Sequence, residues 1–206
     1  MKDVIHYWKS NGVMIEDPAT TFISGDAVLE PGVIICPMVV IKGKSIVKSG
    51  STIDSFSNVI NSIIGPDCTI LSSTIIDSSL NGNNTVGPYS YLRNHTVLKN
   101  GAKLGSLCEI NDSVLGEGTK CKHFSYLGHA QVGRNVNIGA GTITCNFDGR
   151  NKFKTKIGDH AFLGANSLLV APEKIGDRAF TGAGSVITKD VCANEKVYGV
   201  PAKTRI

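Results

Sequence analysis

The stretch LEPGVIICPMVVIKGKSIVKSGSTIDSFSNV, Leu29 to Val59, carries an aliphatic residue at Leu29, Ile35, Ile41, Val47, Ile53 and Val59, one every six positions. An amphipathic helix needs apolar residues about every 3.6 positions and a half-buried strand about every 2, so this beat fits neither alone. It fits a solenoid in which each side is one short strand and one tight turn, with three sides to a coil of about 18 residues. One coil cannot bury its aliphatic residues, but stacked coils bury them in a continuous inner column.

The beat runs most of the chain. It resumes at Ile64, Ile70 and Ile76, slips near Asn81–Asn84, and returns at Val86, Leu92, Leu98, Leu104 and Ile110. Leu115, Cys121 and Leu127 follow, then Val132, Ile138 and Thr144, and later Ile157, Leu163, Leu169, Ile175, Thr181 and Ile187. Gly, Asn and Asp recur where turns need permissive dihedrals, as in Ile138-Gly139-Ala140-Gly141. The reading is an all-β parallel β-helix of hexapeptide repeats, a triangular prism, over residues 21–191. Residues 1–20 form a cap or linker with a short helix from Asp3 to Ser10 closed by Asn11-Gly12, and 192–206 a C-terminal tail. Between Thr144 and Ile157 the step is 13 residues instead of six, which predicts an insertion loop at about 146–156.

Composition agrees. Aromatics make up 6% of the 206 residues and Gly numbers 23, which suits a core of small and β-branched side chains. The net charge of +4 admits an anionic ligand but is too weak to argue for nucleic acid, and no zinc-finger or helix-turn-helix pattern is present. The six cysteines form no CxxC pair and lie within the repeats, where small buried hydrophobes are expected. No stretch approaches the length of a membrane span, and a reducing cytoplasm is the default location.

Several strings are more specific than the repeat. Gly87-Pro88-Tyr89-Ser90-Tyr91-Leu92-Arg93, His123-Phe124-Ser125-Tyr126-Leu127-Gly128 and Asn137-Ile138-Gly139-Ala140-Gly141-Thr142-Ile143-Thr144-Cys145-Asn146 resemble the C-terminal acetyltransferase half of the bacterial bifunctional N-acetylglucosamine-1-phosphate uridyltransferases. The resemblance runs from about Gly12 to Val191. It implies the left-handed β-helix of the hexapeptide acyltransferases, a homotrimer, and acetylation of glucosamine 1-phosphate by acetyl-CoA. The family's nucleotidyltransferase domain has no counterpart in these residues, so no uridylyl activity is expected of them.

Residue by residue, the resemblance makes His123 the catalytic base, a role that suits a side chain titrating near pH 6.5. It places Arg93, Asn111, Tyr126, Asn137 and Lys152 at the sugar, and Ala140, Asn146, Phe147, Ala165 and Ala183 at acetyl-CoA. The segment from Arg150 to Lys152 reads as an arm reaching a neighbouring subunit's sugar or the CoA phosphates. His6, His95, His129 and His160 read as surface or turn residues. Spacing predicts that Arg93 stacks on Asn111 and Glu109 on Tyr126, and it puts Asn137 at a different corner from Tyr126, so either the register differs or two subunits share the site. Three positions depart from the family: Asn111 replaces a Lys, Phe147 a Tyr and Ala165 a Ser. The lost cation weakens the case for a phosphorylated sugar. Acetylation of an unphosphorylated or nucleotide-linked amino sugar is therefore the alternative, and a non-catalytic structural prism is the reading from another class. A zinc-dependent carbonic anhydrase on the same prism needs two His five apart, whereas His123 and His129 are six apart. No metal is expected.

Overall fold

The computed structural model describes residues 2–204. Short parallel strands succeed one another around three flat sheets. Met14–Ile15 lies on sheet A, Phe22–Ile23 on sheet B and Val28–Leu29 on sheet C, and Ile34–Ile35 returns to A one coil further on. Repetition builds sheets of twelve, ten and nine strands among the described residues, wound as a left-handed parallel β-helix of about ten turns.

One face of every strand decides the packing. Ile35, Ile41, Ile53, Ile70, Leu92, Leu98, Ile110, Leu115 and Leu127 are fully buried in a single column. Two residues before each of these stands a second inward position, held by Ser45, Ser51, Ser57, Ser62, Ser90, Thr96, Ser113, Thr119 and their equivalents. Small side chains predominate where the chain turns a corner, and Asn84, the larger amide among them, bonds to Lys99 O and Ala102 O. The serine and threonine hydroxyls satisfy corner carbonyls one coil away, as Ser51 Oγ does for Gly65 O at 2.8 Å and Thr119 Oγ1 for Gly133 O at 2.7 Å.

The beat needs one correction. Ile75 faces inward and Ile76 is half-exposed, so the column passes Ile70, Ile75 and Leu80 in two five-residue steps. The slip thus lies before Leu80, not at Asn81–Asn84. Shortened steps recur from Val59 to Ile64, Ile110 to Leu115 and Leu127 to Val132, each between sheets B and C. The 13-residue step falls at this same B/C corner, so the chain varies its length along one edge of the prism.

Both ends are covered. The helix Lys2–Ser10 buries Ile5 and packs Val4 and Trp8 on the core beside the first strand. It ends at Asn11, whose N–H bonds to Tyr7 O and Trp8 O, and Gly12 turns the chain with φ 82°. The segment read as a C-terminal tail is also built in. Lys196–Tyr198 extends sheet A, and Lys203–Thr204 folds back antiparallel on it, closing an edge that parallel stacking leaves open.

Glu173 breaks the small-residue rule at the inner corner. It is 3% exposed, Thr155 Oγ1 donates to its Oε1 at 3.3 Å, and its Oε2 has no partner. Burial, with some help from Asp190, pushes its carboxyl up from 4.5 to about 7, and the Thr155 bond opposes this. The fold therefore favours the protonated acid. The resulting stability is full below about pH 4.5 and is lost as pH rises through about 7. Glu173→Gln should remove this slope, raising stability well above pH 7 by about 3 kcal/mol; denaturant titrations at pH 5 and 8 check it, and equal slopes in both proteins would contradict it.

Candidate active site

The corner between sheets A and B carries four of the sequence-predicted residues in one line. His123 ends the strand Lys120–His123 and sits directly above Ser106. Gly141 N–H bonds to His123 O at 3.3 Å, Asn166 N–H to Ala140 O at 2.7 Å and Gly184 N–H to Ala165 O at 2.8 Å. These bonds stack His123, Ala140, Ala165 and Ala183 one coil apart. From the second coil to the one holding Gly184, the next residue outward has positive φ. It is Met38, Phe56, Tyr89, Leu107 and Phe124 in five of the lower coils, all exposed, but Gly141, Asn166 and Gly184 above. Large side chains thus stop at Phe124, and from Gly141 upward small residues line the corner beside His123.

Sheet B and its far corner hold a second group. Arg93 lies directly opposite Asn111, and Glu109 opposite Tyr126, as the spacing predicts. Arg93 donates to Glu109 Oε1 from Nε at 3.0 Å and from Nη2 at 2.8 Å, and its guanidinium lies 5.7 Å from the Tyr91 ring centre. Glu109 therefore orients Arg93 and offsets its charge. Asn111 is buried, and its Oδ1 accepts from Asn94 Nδ2 at 2.7 Å. That carbonyl is already occupied within the chain.

Tyr126 and Asn146 converge on Gly128, a residue the sequence reading passed over. A Cβ there would collide with the Tyr126 hydroxyl and lie 2.8 Å from Asn146 Nδ2. Thr144 explains itself at the same point. It occupies an aliphatic place in the column, yet its Oγ1 accepts from Gly128 N at 2.7 Å and donates to Gly128 O at 3.0 Å. A polar side chain inside the core thereby fixes the floor of the group. His129, read as an ordinary turn residue, is held on both sides. Its Nε2 lies 3.4 Å from Asp112 Oδ2 and its Nδ1 2.8 Å from Asn146 Nδ2.

The insertion leaves the prism between Ile143–Cys145 and Thr155–Ile157. Asp148 Oδ1 accepts from Arg150 N at 2.8 Å and Asn151 N at 2.7 Å, and Phe147 bridges Lys152, so the excursion is a tight hairpin. Those two N–H bonds hold the Asp148 carboxyl below its usual range. Phe147 and Lys152 are exposed on the hairpin. Asn137 lies on sheet A between Lys120 and Phe162, across the His123 corner from Tyr126. One chain thus spreads the predicted residues over two faces and two corners. Among the described residues no group of three His, Cys, Asp or Glu is placed to hold a metal, and no helix is long and apolar enough to cross a membrane.

The hexapeptide repeat of succinyl-transferase matches residues 154–189. The bifunctional protein GlmU of Desulfitobacterium hafniense (strain DSM 10664 / DCB-2) is 46% identical over 191 residues, which is 93% of this chain and 42% of that protein. GlmU of Thermotoga maritima is 48% identical over 181 residues, 88% of this chain and 41% of that protein. The chain therefore spans about two fifths of the length of these relatives, matching their C-terminal half. Among solved structures, an Arabidopsis UDP-N-acetylglucosamine acyltransferase superposes with TM-score 0.68 at 16% identity over 91% of this chain and 73% of its own. The Francisella novicida UDP-N-acetylglucosamine acyltransferase gives 0.59 at 16% identity over 93% and 68%. At such identities these two establish the fold alone.

Gly128→Ala tests the convergence. Its backbone needs no positive φ, and the clashing atoms are side-chain ends, so the fold should hold while Tyr126 and Asn146 are displaced. The expected result is an unfolding midpoint within a few degrees of wild type and a loss of ligand affinity or turnover of about tenfold, the worth of one hydrogen bond. Wild-type affinity and turnover together would show that the convergence is idle.

Proposed function

We propose that this chain, homologous to the C-terminal half of the GlmU proteins, is an acyltransferase that moves an acetyl group from acetyl-CoA to the amine of an amino sugar. The observation that carries the reading is the line of His123, Ala140, Ala165 and Ala183, with the large apolar side chains ending beside it. Small side chains admit an extended pantetheine arm against the coils, and the arm would deliver its thioester to the only large polar side chain in the line.

The chemistry asks little of the protein. His123 accepts a proton from the neutral attacking amine as the nitrogen lone pair adds to the thioester carbonyl. The tetrahedral intermediate collapses, the C–S bond breaks, and the leaving thiolate takes the proton back from His123. Ala165 offers no hydroxyl to the oxyanion, so backbone N–H groups serve there. Tyr126 and Asn137 flank the His123 corner on two faces and suit contacts to the sugar. Asn146 and Phe147 suit the donor, and Lys152 stands on the hairpin as an exposed cation.

Two copies complete the arrangement in this reading. Residues on sheet A, sheet B and the B/C corner of one prism cannot all reach one small molecule, whereas neighbouring prisms in a homotrimer bring different faces together. The row of Met38, Phe56, Tyr89, Leu107 and Phe124 supports packing along the A/B edge, because large apolar side chains there meet solvent in a lone chain.

A second reading concerns the acceptor. With Asn111 buried against Asn94 and Arg93 neutralised by Glu109, this corner offers little free positive charge to a 1-phosphate, which favours an unphosphorylated amino sugar, or a nucleotide-linked one whose phosphates are held elsewhere, over glucosamine 1-phosphate. Thiol release from acetyl-CoA over a panel of amino sugars, with and without the 1-phosphate, separates these. Turnover is expected, with His123→Ala lowering kcat at least about a hundredfold. Asn111→Lys should lower KM for the 1-phosphate. No turnover on any acceptor, with His123→Ala equal to wild type, would end the enzyme reading.

A further inference from the structure

We infer that His129, held by Asp112, is a positioning residue that fixes which way the Asn146 amide faces, so that Asn146 Oδ1 is turned outward to accept an N–H of the ligand. The ligand half of this statement rests on the function proposed above, and the orientation half does not.

Three coils build the arrangement along the B/C edge. Asp112 and His129 occupy the same corner place one coil apart, with φ of 47° and 53°, and His129 N–H bonds to Asn111 O at 3.0 Å. Asn146 is the first residue of the insertion, one coil above. The His129 side chain is only 15% exposed and both ring nitrogens are engaged.

The two contacts demand the same tautomer. An amide nitrogen is a donor only, so Asn146 Nδ2 at 2.8 Å requires an unprotonated Nδ1. The Asp112 carboxylate, with Oδ2 3.4 Å from Nε2, is a charge contact longer than a hydrogen bond that favours a proton on that nitrogen. In a neutral ring the Asn146 contact already puts the proton on Nε2, and the Asp112 carboxylate stabilises it there. Together they fix Nε2–H, with Asp112 acting on Asn146 through the ring.

With Nδ2 committed to His129, Oδ1 is directed away from the ring and accepts no hydrogen bond from the described residues. Nδ2, the atom bound to His129, is the one that lies over the bare Cα of Gly128 beside the Tyr126 hydroxyl, and Oδ1, on the other arm of the amide, is the open acceptor. The matching ligand group is an N–H: an amide of the pantetheine arm or the amine of the acceptor. Acidification reverses the amide. A proton on Nδ1 makes that atom a donor, so the amide must rotate and present NH2 outward, where it opposes a ligand N–H. The titratable groups on the elements packed around His129 are Asp112, Arg93 and Glu109 from the coils below, Tyr126 on its own strand, Cys145 and Lys154 flanking the insertion, and Glu173 above.

The test joins a spectrum to a binding curve. Imidazole 15N NMR of the whole chain at about pH 8 should show His129 as the Nε2–H tautomer; an Nδ1–H signal overturns the proposal. Binding of acetyl-CoA, and separately of amino sugar, is then measured at about pH 8 and about pH 5.5. Wild type should bind whichever ligand carries the N–H about tenfold more weakly at the lower pH. His129→Asn, chosen because Asn tolerates the positive φ, should bind that ligand about tenfold more weakly at both, without pH dependence. Asp112→Asn should fall between them, with a shifted pH profile. Wild-type affinity and pH dependence for both ligands in His129→Asn would overturn the positioning role. If wild type binds no acetyl-CoA, the function proposed above fails, and the spectrum alone decides the His129–Asn146 arrangement.

Discussion

Every feature of this molecule depends on the coil-to-coil ladder of parallel backbone hydrogen bonds, which sets each residue directly above its counterpart one coil away. The ladder is strong only while the interior column stays filled, so each strand must bring one aliphatic residue inward and each corner one small one. That constraint turns sequence spacing into position in space. Residues separated by 17 or 18 places become neighbours, and chemistry written along the chain is read out as vertical lines on a prism.

A rigid column tolerates variation chiefly at its corners, and here it is concentrated on one edge. The B/C corner absorbs most of the shortened steps and the whole insertion. It also carries Arg93, Asn94, Asn111, Asp112, His129 and Asn146 in successive coils. Loops are inexpensive on such a scaffold because the ladder resumes in register on the far side. The cost appears locally: Thr144 gives up an aliphatic place to anchor Gly128, and Glu173 buries a carboxyl where the other coils bury a small residue. Both departures lie within a coil of the insertion, where packing has yielded to polar geometry.

The fold was almost wholly legible in the sequence, because a period of six is an unusual signal and few architectures produce it. The stacking of Arg93 on Asn111 and of Glu109 on Tyr126 followed from counting. The count erred at Ile76 because two adjacent isoleucines both fit the pattern, and only the shortened corner chooses Ile75. The line through His123, Ala140, Ala165 and Ala183 was assembled by resemblance before the ladder showed why these residues belong together. Gly128, His129 and Asp112 were missed for a physical reason. Their roles arise from side chains meeting across coils, and neither a lone glycine nor a turn histidine announces its neighbours. Asn111 was singled out for its lost charge, whereas its burial against Asn94 depends on a contact no spacing reveals.

The central claim is that the acyl donor lies along the small-residue line above His123. Its most direct test is the acetyl-CoA affinity of Ala165→Trp and Ala183→Trp, two exposed positions where an indole covers the line without entering the core. Both variants should keep the wild-type unfolding midpoint and bind acetyl-CoA at least about tenfold more weakly. Folded variants that bind acetyl-CoA as wild type does would place the donor elsewhere and contradict the assignment.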